Sequence, residues 1–493
     1  MSDRAKANAA LAMSTLAFFW CFACWTLNGV LGAFLVDNGL FHWNQEQLGW
    51  ILGIPVLTGS VLRLPVGMLA DRFGGRRVYT ALLFLSAVPM WLLGSTHSYG
   101  GFLLASLGFG LTGASFAVGV AFTSSWFPKA QQGTALGIFG AGNVGTALTA
   151  LFAPTALKAL TKGGTDLEAW RTLPKLYAVG LVLIAVAFLL VTREHVSGRP
   201  PRTLAQLLSP MKRLRVWRFG LYYFLVFGCF VALSQWLVPY YMGVYGMSLA
   251  AAGALAASFS LPAGLVRAAG GWLADRYGAR TVIYWAFAGS VVACLALSVP
   301  RMTIESPGPA VQAPKAGVVT EVAADHIALD GVRLPLRTKA PEPPIEAGTF
   351  VMPHSTFWQE PAVKPGDKVT KKQVLAKGVT RIFFQANVKI FAGIVLVLGL
   401  LWGVGMGAVY KYIPTYFPDE VGAVGGLVGV IGGLGGFVGP IVFGYVLKTS
   451  GLWTTMWVML AALSLTCLVM LHLVVQRIIR REKPEIAFGT EPE

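Results

Sequence analysis

The chain has 493 residues, 55% of them hydrophobic and 12% charged, with a formal net charge of +17. That balance is too apolar for a water-soluble domain of this length. The basic residues cluster beside apolar runs rather than in a domain of their own, which excludes a nucleic-acid binder and points to a lipid bilayer as partner. A run of about 20 apolar residues can cross a bilayer as a helix. Lipid supplies no hydrogen bonds, so only helices or a closed barrel can span it. The runs here are continuous rather than alternating, which selects helices.

Twelve spans are predicted, over 8–36, 46–71, 77–95, 99–127, 131–157, 173–192, 216–245, 249–275, 280–299, 387–416, 421–447 and 452–477. Span one follows Arg4 and Lys6 and reads as an uncleaved anchor. Its Cys21 and Cys24, like Cys229, Cys294 and Cys467, lie in apolar runs. No further Cys or His pair stands near, so the five cysteines read as packing residues, with no metal expected.

Span two contains Arg63-Leu-Pro-Val-Gly67-Met-Leu-Ala-Asp71-Arg72-Phe-Gly74. A charge inside such a run costs about 3 kcal/mol on insertion scales. Span five carries Gly137-Ile-Phe-Gly140-Ala-Gly142-Asn143-Val-Gly145. Glycines three or four apart form a smooth face for helix packing. Asn143 in that face is either interhelical glue or a ligand contact. Arg193, Arg199, Arg202, Lys212, Arg213, Arg215 and Arg218 crowd the link to span seven.

Span eight repeats the earlier phrase as Arg267-Ala-Ala-Gly-Gly271-Trp-Leu-Ala-Asp275-Arg276-Tyr-Gly278. A polar, Pro-rich stretch, 301–386, follows span nine. Its Ala316–Val322 and Lys368–Ala376 read as β-strands, and 363–377 is similar to a strand of a lipoyl-like or biotinyl-like barrel-sandwich domain without its modification turn. A small β module or a disordered linker are the alternatives. Span eleven carries Gly429, Gly432, Gly435 and Gly439, and Arg477, Arg480, Arg481 and Lys483 end the chain.

The clusters all fall on one side of a twelve-span topology, which predicts a multi-pass protein of the cell (inner) membrane with both termini cytoplasmic and 301–386 outside. The expected divisions are 1–192, an N-terminal six-helix bundle; 193–215, a basic linker; 216–300 with 387–478, a second six-helix bundle; 301–386, the insertion; and 479–493, a tail. The offset from Arg63 to Arg267 is 204, as it is from Asp71 to Asp275, whereas Phe127-Pro128 maps to Phe417-Pro418 at 290. The difference equals the length of 301–386, so the halves repeat once that stretch is set aside. Repeated six-span halves place a substrate site near the midplane between them. Two arginines at matching places predict one shared site for an anion; the alternative is a buried carboxylate for each, and acids inside spans are nearly absent.

Gly67-x-x-x-Asp71-Arg72-x-Gly74-Gly75-Arg76-Arg77 and its weaker copy ending at Arg280 resemble the loop signature of the major facilitator superfamily. That resemblance implies an all-α membrane protein of twelve transmembrane helices in two pseudo-symmetric bundles, here with a small β-rich extracytoplasmic insertion. It also implies a conformational latch at Asp71, Arg72, Asp275 and Arg276. More finely, the two arginines, the glycine runs at 140–145 and 429–440, and Phe22-Ala-Cys-Trp25 resemble the nitrate/nitrite porter family, whose commonest members lack the insertion.

The finer resemblance implies nitrate and nitrite as transported ions, no cofactor, and a monomer. It implies a site of Arg63, Arg267, Asn143, Tyr223, Phe22, Phe116 and Phe227, the phenylalanines being otherwise core packing. Guanidinium matches a planar oxyanion with paired donors. Asp37, Glu46, Asp71, Asp275, Asp419 and Glu420 sit at span ends, so no buried proton carrier is evident. This favours exchange of nitrate for nitrite, with proton symport as the alternative. No nucleotide or metal motif supports an enzyme, and the glycine run at 137–145 follows no strand. Another small-anion porter of this fold, and a non-transporting receptor that uses the insertion, are the rivals.

Overall fold

The apolar runs become helices because every backbone polar group in lipid needs a partner within its own segment. A computed structural model of the chain describes residues 3–194, 203–341, 345–346, 348–418 and 420–482. Arg199, Arg202, Asp419 and Lys483 lie outside the described residues, as does the tail from 483. Two compact units form, Val299–Phe391 and the helical body on either side of it.

The helical unit has α1 (Asp3–Asp37), α2 (Gln45–Phe73), α3 (Gly75–Leu93), α4 (Tyr99–Trp126), α5 (Ala135–Leu160) and α6 (Leu167–Val191) in one half. The other has α7 (Leu214–Tyr245), α8 (Leu249–Tyr277), α9 (Ala279–Leu297), α10 (Val388–Tyr416), α11 (Val421–Ser450) and α12 (Thr455–Glu482). Eleven of these are long and apolar enough to cross a membrane; α3 falls short because Arg76 and Arg77 open it. Outward faces are apolar, with Leu104 71% and Leu190 73% exposed, which fits a lipid surround rather than water.

Prolines inside helices remove a donor and free a carbonyl one turn earlier. Pro55 leaves the Ile51 carbonyl free, and it accepts from Asn28 Nδ2 at 2.8 Å. The halves meet through α2 with α11, α5 with α8, and α1 with α7. Two of these contacts obey the sequence offsets. A Cβ on Gly49 would stand 2.4 Å from the Pro440 carbonyl oxygen, and one on Gly253 would stand 2.2 Å from that of Ala150. Gly253 is Gly49 shifted by 204, and Pro440 is Ala150 shifted by 290. At the other end of α2 and α8, among the described residues a Cβ at the matched Gly67 meets only Ala117, at 3.9 Å, and one at Gly271 nothing within 4 Å.

The second unit is β-structure. Its antiparallel strands β1 (Arg301–Gln312), β2 (Gly317–Val322), β3 (His326–Leu329), β4 (Val332–Pro335), β5 (Val351–Pro361), β6 (Lys368–Val369) and β7 (Val374–Gln385) form sheets ordered β1-β7-β5 and β4-β3-β2-β6. Val319, Ile327, Leu329, Val369 and Leu375 fill the core between them. The expected strand over Lys368–Ala376 is broken in two. Lys372 takes φ 69°, and a turn bonds Gln373 N to the Thr370 carbonyl at 3.1 Å.

Candidate functional site

Five of the six helices that carry the expected site residues are interrupted beside them. α1 breaks at Thr26, four residues after Phe22, and α2 at Leu62, just before Arg63. A 3-10 turn over Gly110–Ala114 precedes Phe116, and another over Ala141–Val144 contains Asn143. A π turn, Phe224–Gly228, follows Tyr223 and contains Phe227. α8, which carries Arg267, runs unbroken. Irregular backbone at membrane depth is tolerated only where protein or a cavity surrounds it, and π turns gather at functional sites.

One break, the 3-10 turn over Gly110–Ala114, turns a backbone oxygen toward the charge. Arg63 is 3% exposed and donates Nε to the Gly113 carbonyl at 3.3 Å. Its Nη1 donates to the Gly429 carbonyl of the opposite half at 2.8 Å. The Arg63 guanidinium lies 5.2 Å from the ring centre of Phe227, 5.5 Å from that of Phe116 and 5.7 Å from that of Trp25. Arg267 approaches the same Phe116 ring at 5.5 Å. The two guanidinium carbons therefore cannot lie farther apart than twice that distance.

No carboxylate among the described residues pairs with either arginine. Arg63 Nη2, Arg267 Nη1 and both amide atoms of Asn143 are buried without a partner among them. Asn143 sits where α5 meets Gly264, one turn before Arg267. Tyr223 stacks on Phe227 at 4.9 Å. Phe22 is reached through rings, Phe227 at 6.5 Å and Trp25 at 5.1 Å. The result is two like charges walled by aromatic rings, with unsatisfied donors between halves. Such a place attracts a small anion with acceptors around its edge.

Three further residues belong to this region. Tyr410 of α10 lies 5.7 Å from the Arg267 guanidinium, meets Tyr223 edge-on at 4.8 Å and donates to the Gly425 carbonyl at 3.3 Å. Ser60, one turn before Arg63, is fully buried, has no partner for its hydroxyl among the described residues and packs on Gly433. Trp25, noted in the sequence only as part of a run, anchors its Nε1 on the Pro55 carbonyl at 2.9 Å.

The glycines divide. A Cβ at Gly142 or Gly145 would collide with α1, at 2.5 Å from Phe18 and 2.0 Å from the Phe19 carbonyl. Gly432, Gly435 and Gly439 press likewise on Tyr223, Phe224 and Ala232 of α7, and Gly429 lies against Tyr410 and Arg63. Gly137 and Gly140 correct the expectation of packing glycines, because among the described residues a Cβ at either meets nothing within 4 Å. At the expected latch, Asp275 pairs with Lys411 of α10, and Arg276 lies over Trp272 at 5.6 Å and Tyr277 at 5.5 Å. Asp71 is exposed and Arg72 lies 5.3 Å from the ring centre of Phe73. Glu194 accepts from Arg76 N at 3.2 Å and Arg77 N at 3.4 Å, capping α3 beside that loop.

Comparison with known proteins adds the following. The model of the Major Facilitator Superfamily matches residues 13–319. Over 475 residues the chain is 37% identical to a Thermus thermophilus protein named probable nitrate/nitrite antiporter NarK1, covering 95% of this chain and 92% of that protein. It is 28% identical over 289 residues to the nitrite extrusion protein of Bacillus subtilis, covering 58% of this chain and 70% of that protein. Among solved structures, a bacterial homologue of the lysosomal transporter Spinster, inward-facing and occupied, aligns at TM-score 0.65 and 14% identity over 96% of this chain and 98% of that one. At that identity the likeness speaks for the fold alone.

Proposed function

Since this chain belongs to the major facilitator superfamily, and within it to the nitrate/nitrite porters, we propose that it exchanges nitrate for nitrite across a cell membrane by alternating access. It is a transporter, and its family is not one of enzymes. The observation that carries the reading is the shared Phe116 ring, with a guanidinium from each half at 5.5 Å and a spare donor on each. A flat monovalent oxyanion fits between two planar forks, and the rings narrow the choice to small ions.

Arg63 and Arg267 hold the anion, Asn143 and Tyr223 donate to its edge, and Phe22, Phe116 and Phe227 wall it. Two cations at close range repel, so the site closes more readily around an anion than without one. The scarcity of buried acids supports exchange over proton symport. His472 is exposed on α12 and bonded to Tyr284 of α9 at 3.2 Å. The basic loops support cytoplasmic termini. The chain acts as a monomer, and Asp71, Arg72, Asp275 and Arg276 bias the facing state.

The test uses proteoliposomes loaded with nitrite and assayed for nitrate entry, with and without a pH gradient. Exchange requires internal nitrite and ignores the gradient; symport reverses both dependences. Nitrate entry absent under both regimes, with formate or chlorate carried instead, overturns the substrate assignment. Arg63→Lys and Arg267→Lys keep the charge but lose the fork, and each lowers nitrate affinity by about tenfold or more.

A further inference from the structure

A cavity opens between α7, α9, α10 and α12, away from the two central arginines. Arg215, Arg218 and Arg280 line it, and among the described residues no carboxylate does. Three tyrosines, Tyr222, Tyr412 and Tyr416, complete its polar wall. Arg215 is held 4.6 Å from the ring centre of Tyr416, and Phe219 stacks on Tyr412 at 5.1 Å. The Nε of Arg218 is buried and has no partner among the described residues. Burying a charged donor without an acceptor is costly.

Three guanidinium groups around one space call for a ligand with acceptors on several sides, which a tetrahedral phosphate offers. We propose that this cavity is a binding site for a phosphate group, distinct from the transport site, with Arg215, Arg218 and Arg280 as its donors. Two sources share that chemistry, a phospholipid headgroup and free inorganic phosphate. The setting favours the lipid. Phe219 and Leu471, Val474 and Val475 of α12 form the apolar part of the lining, and on α7 Leu214 and Trp217, within one turn of Arg218, are exposed apolar side chains. A headgroup held there would leave its acyl chains along that face.

The test compares the purified full-length chain with an Arg215→Gln/Arg218→Gln variant in detergent, each titrated with phosphatidylglycerol, phosphatidylcholine or inorganic phosphate. Thermal unfolding is the readout, and nitrate exchange after reconstitution checks the fold. For the lipid source, phosphatidylglycerol raises the wild-type midpoint above phosphatidylcholine by about 3 °C, the variant loses at least half of that, and phosphate is inert. A shift produced by inorganic phosphate in the wild type and lost in the variant upholds the site and assigns it to the soluble ion. Equal shifts in both proteins, or none in either, overturn it. Arg215→Gln alone, at an exposed position, gives the same comparison should the double variant not fold.

Discussion

Among the described residues neither polar atom of the buried Asn143 amide is bonded, and it lies beside the helix that carries Arg267. An amide kept there for packing alone would be better replaced by an apolar group, since an unmade buried bond costs about 1–3 kcal/mol. Asn143→Ala should therefore raise the nitrate KM by about tenfold or more, the worth of one hydrogen bond to a charged group, while the thermal midpoint holds or rises. A midpoint that falls with an unchanged KM assigns the residue to structure. Tyr410 supports Arg267 through its ring face. Tyr410→Leu should raise KM by about threefold to thirtyfold, the range of a cation–π contact, with Tyr410→Phe close to wild type. In an Arg267→Lys background the effect of Tyr410→Leu should shrink, and a double-mutant cycle measured by nitrate binding checks it. Strictly additive losses would sever the two residues. The repeat could not reveal Tyr410: the offset of 290 carries Phe116 onto Met406, one helical turn short of it. Ser60 was hidden for another reason, because a serine in an apolar helix usually bonds its own backbone and leaves no mark of function.

Each interrupted helix carries a ring, an amide or a guanidinium in its break or within four residues of it. None of these breaks has a compositional signature, because glycine, alanine and valine serve α, 3-10 and π turns alike. What was legible in the helices was their apolar length and the matching of the halves, since lipid enforces the first and duplication the second. The glycine runs were legible as packing faces over only part of their length. Gly142 and Gly145 face α1, while no described residue comes within 4 Å of a Cβ placed at Gly137 or Gly140. Gly145→Ala puts a methyl 2.0 Å from the Phe19 carbonyl and should destabilise the helical unit by about 1–3 kcal/mol. Gly137→Ala should leave the midpoint within about 0.5 kcal/mol of wild type, as open sites do. Thermal unfolding in detergent compares them; equal losses would contradict the packing described.

Across the whole molecule, the two units answer to different solvents. The helical body is held by apolar length and close backbone approach. The β unit has charged pairs, and one of them titrates. His326 Nδ1 bonds Asp325 at 2.9 Å, with Glu321 at 3.5 Å from Nε2. The bond to Asp325 first, and Glu321 second, hold the imidazole above its ordinary value, and Asp325 is held below its own. The histidine's contribution is complete below about pH 6.5 and is lost as pH rises through its raised value. Asp325 contributes above its ordinary range and loses that as pH falls through its lowered one. Hydrogen exchange over residues 319–329, corrected for intrinsic rate, should show protection falling on the alkaline side of the histidine titration. His326→Gln should flatten that limb, and a limb that survives the substitution belongs to another group. The β character of 301–386 was legible from its short valine-rich runs, but its division into two sheets was not, because strand partners are set by contacts distant in sequence.

The register pairs Arg301 with Gln385, the first residue of β1 with the last of β7. Paired residues on neighbouring strands lie about 5 Å apart, so this long excursion returns the chain almost to where it left. Whatever the number of residues between, the entropy of joining Leu297 to Val388 is set by that ladder rather than by a floppy loop. The neck is thus a ready graft point, able to accept another domain whose own termini are adjacent.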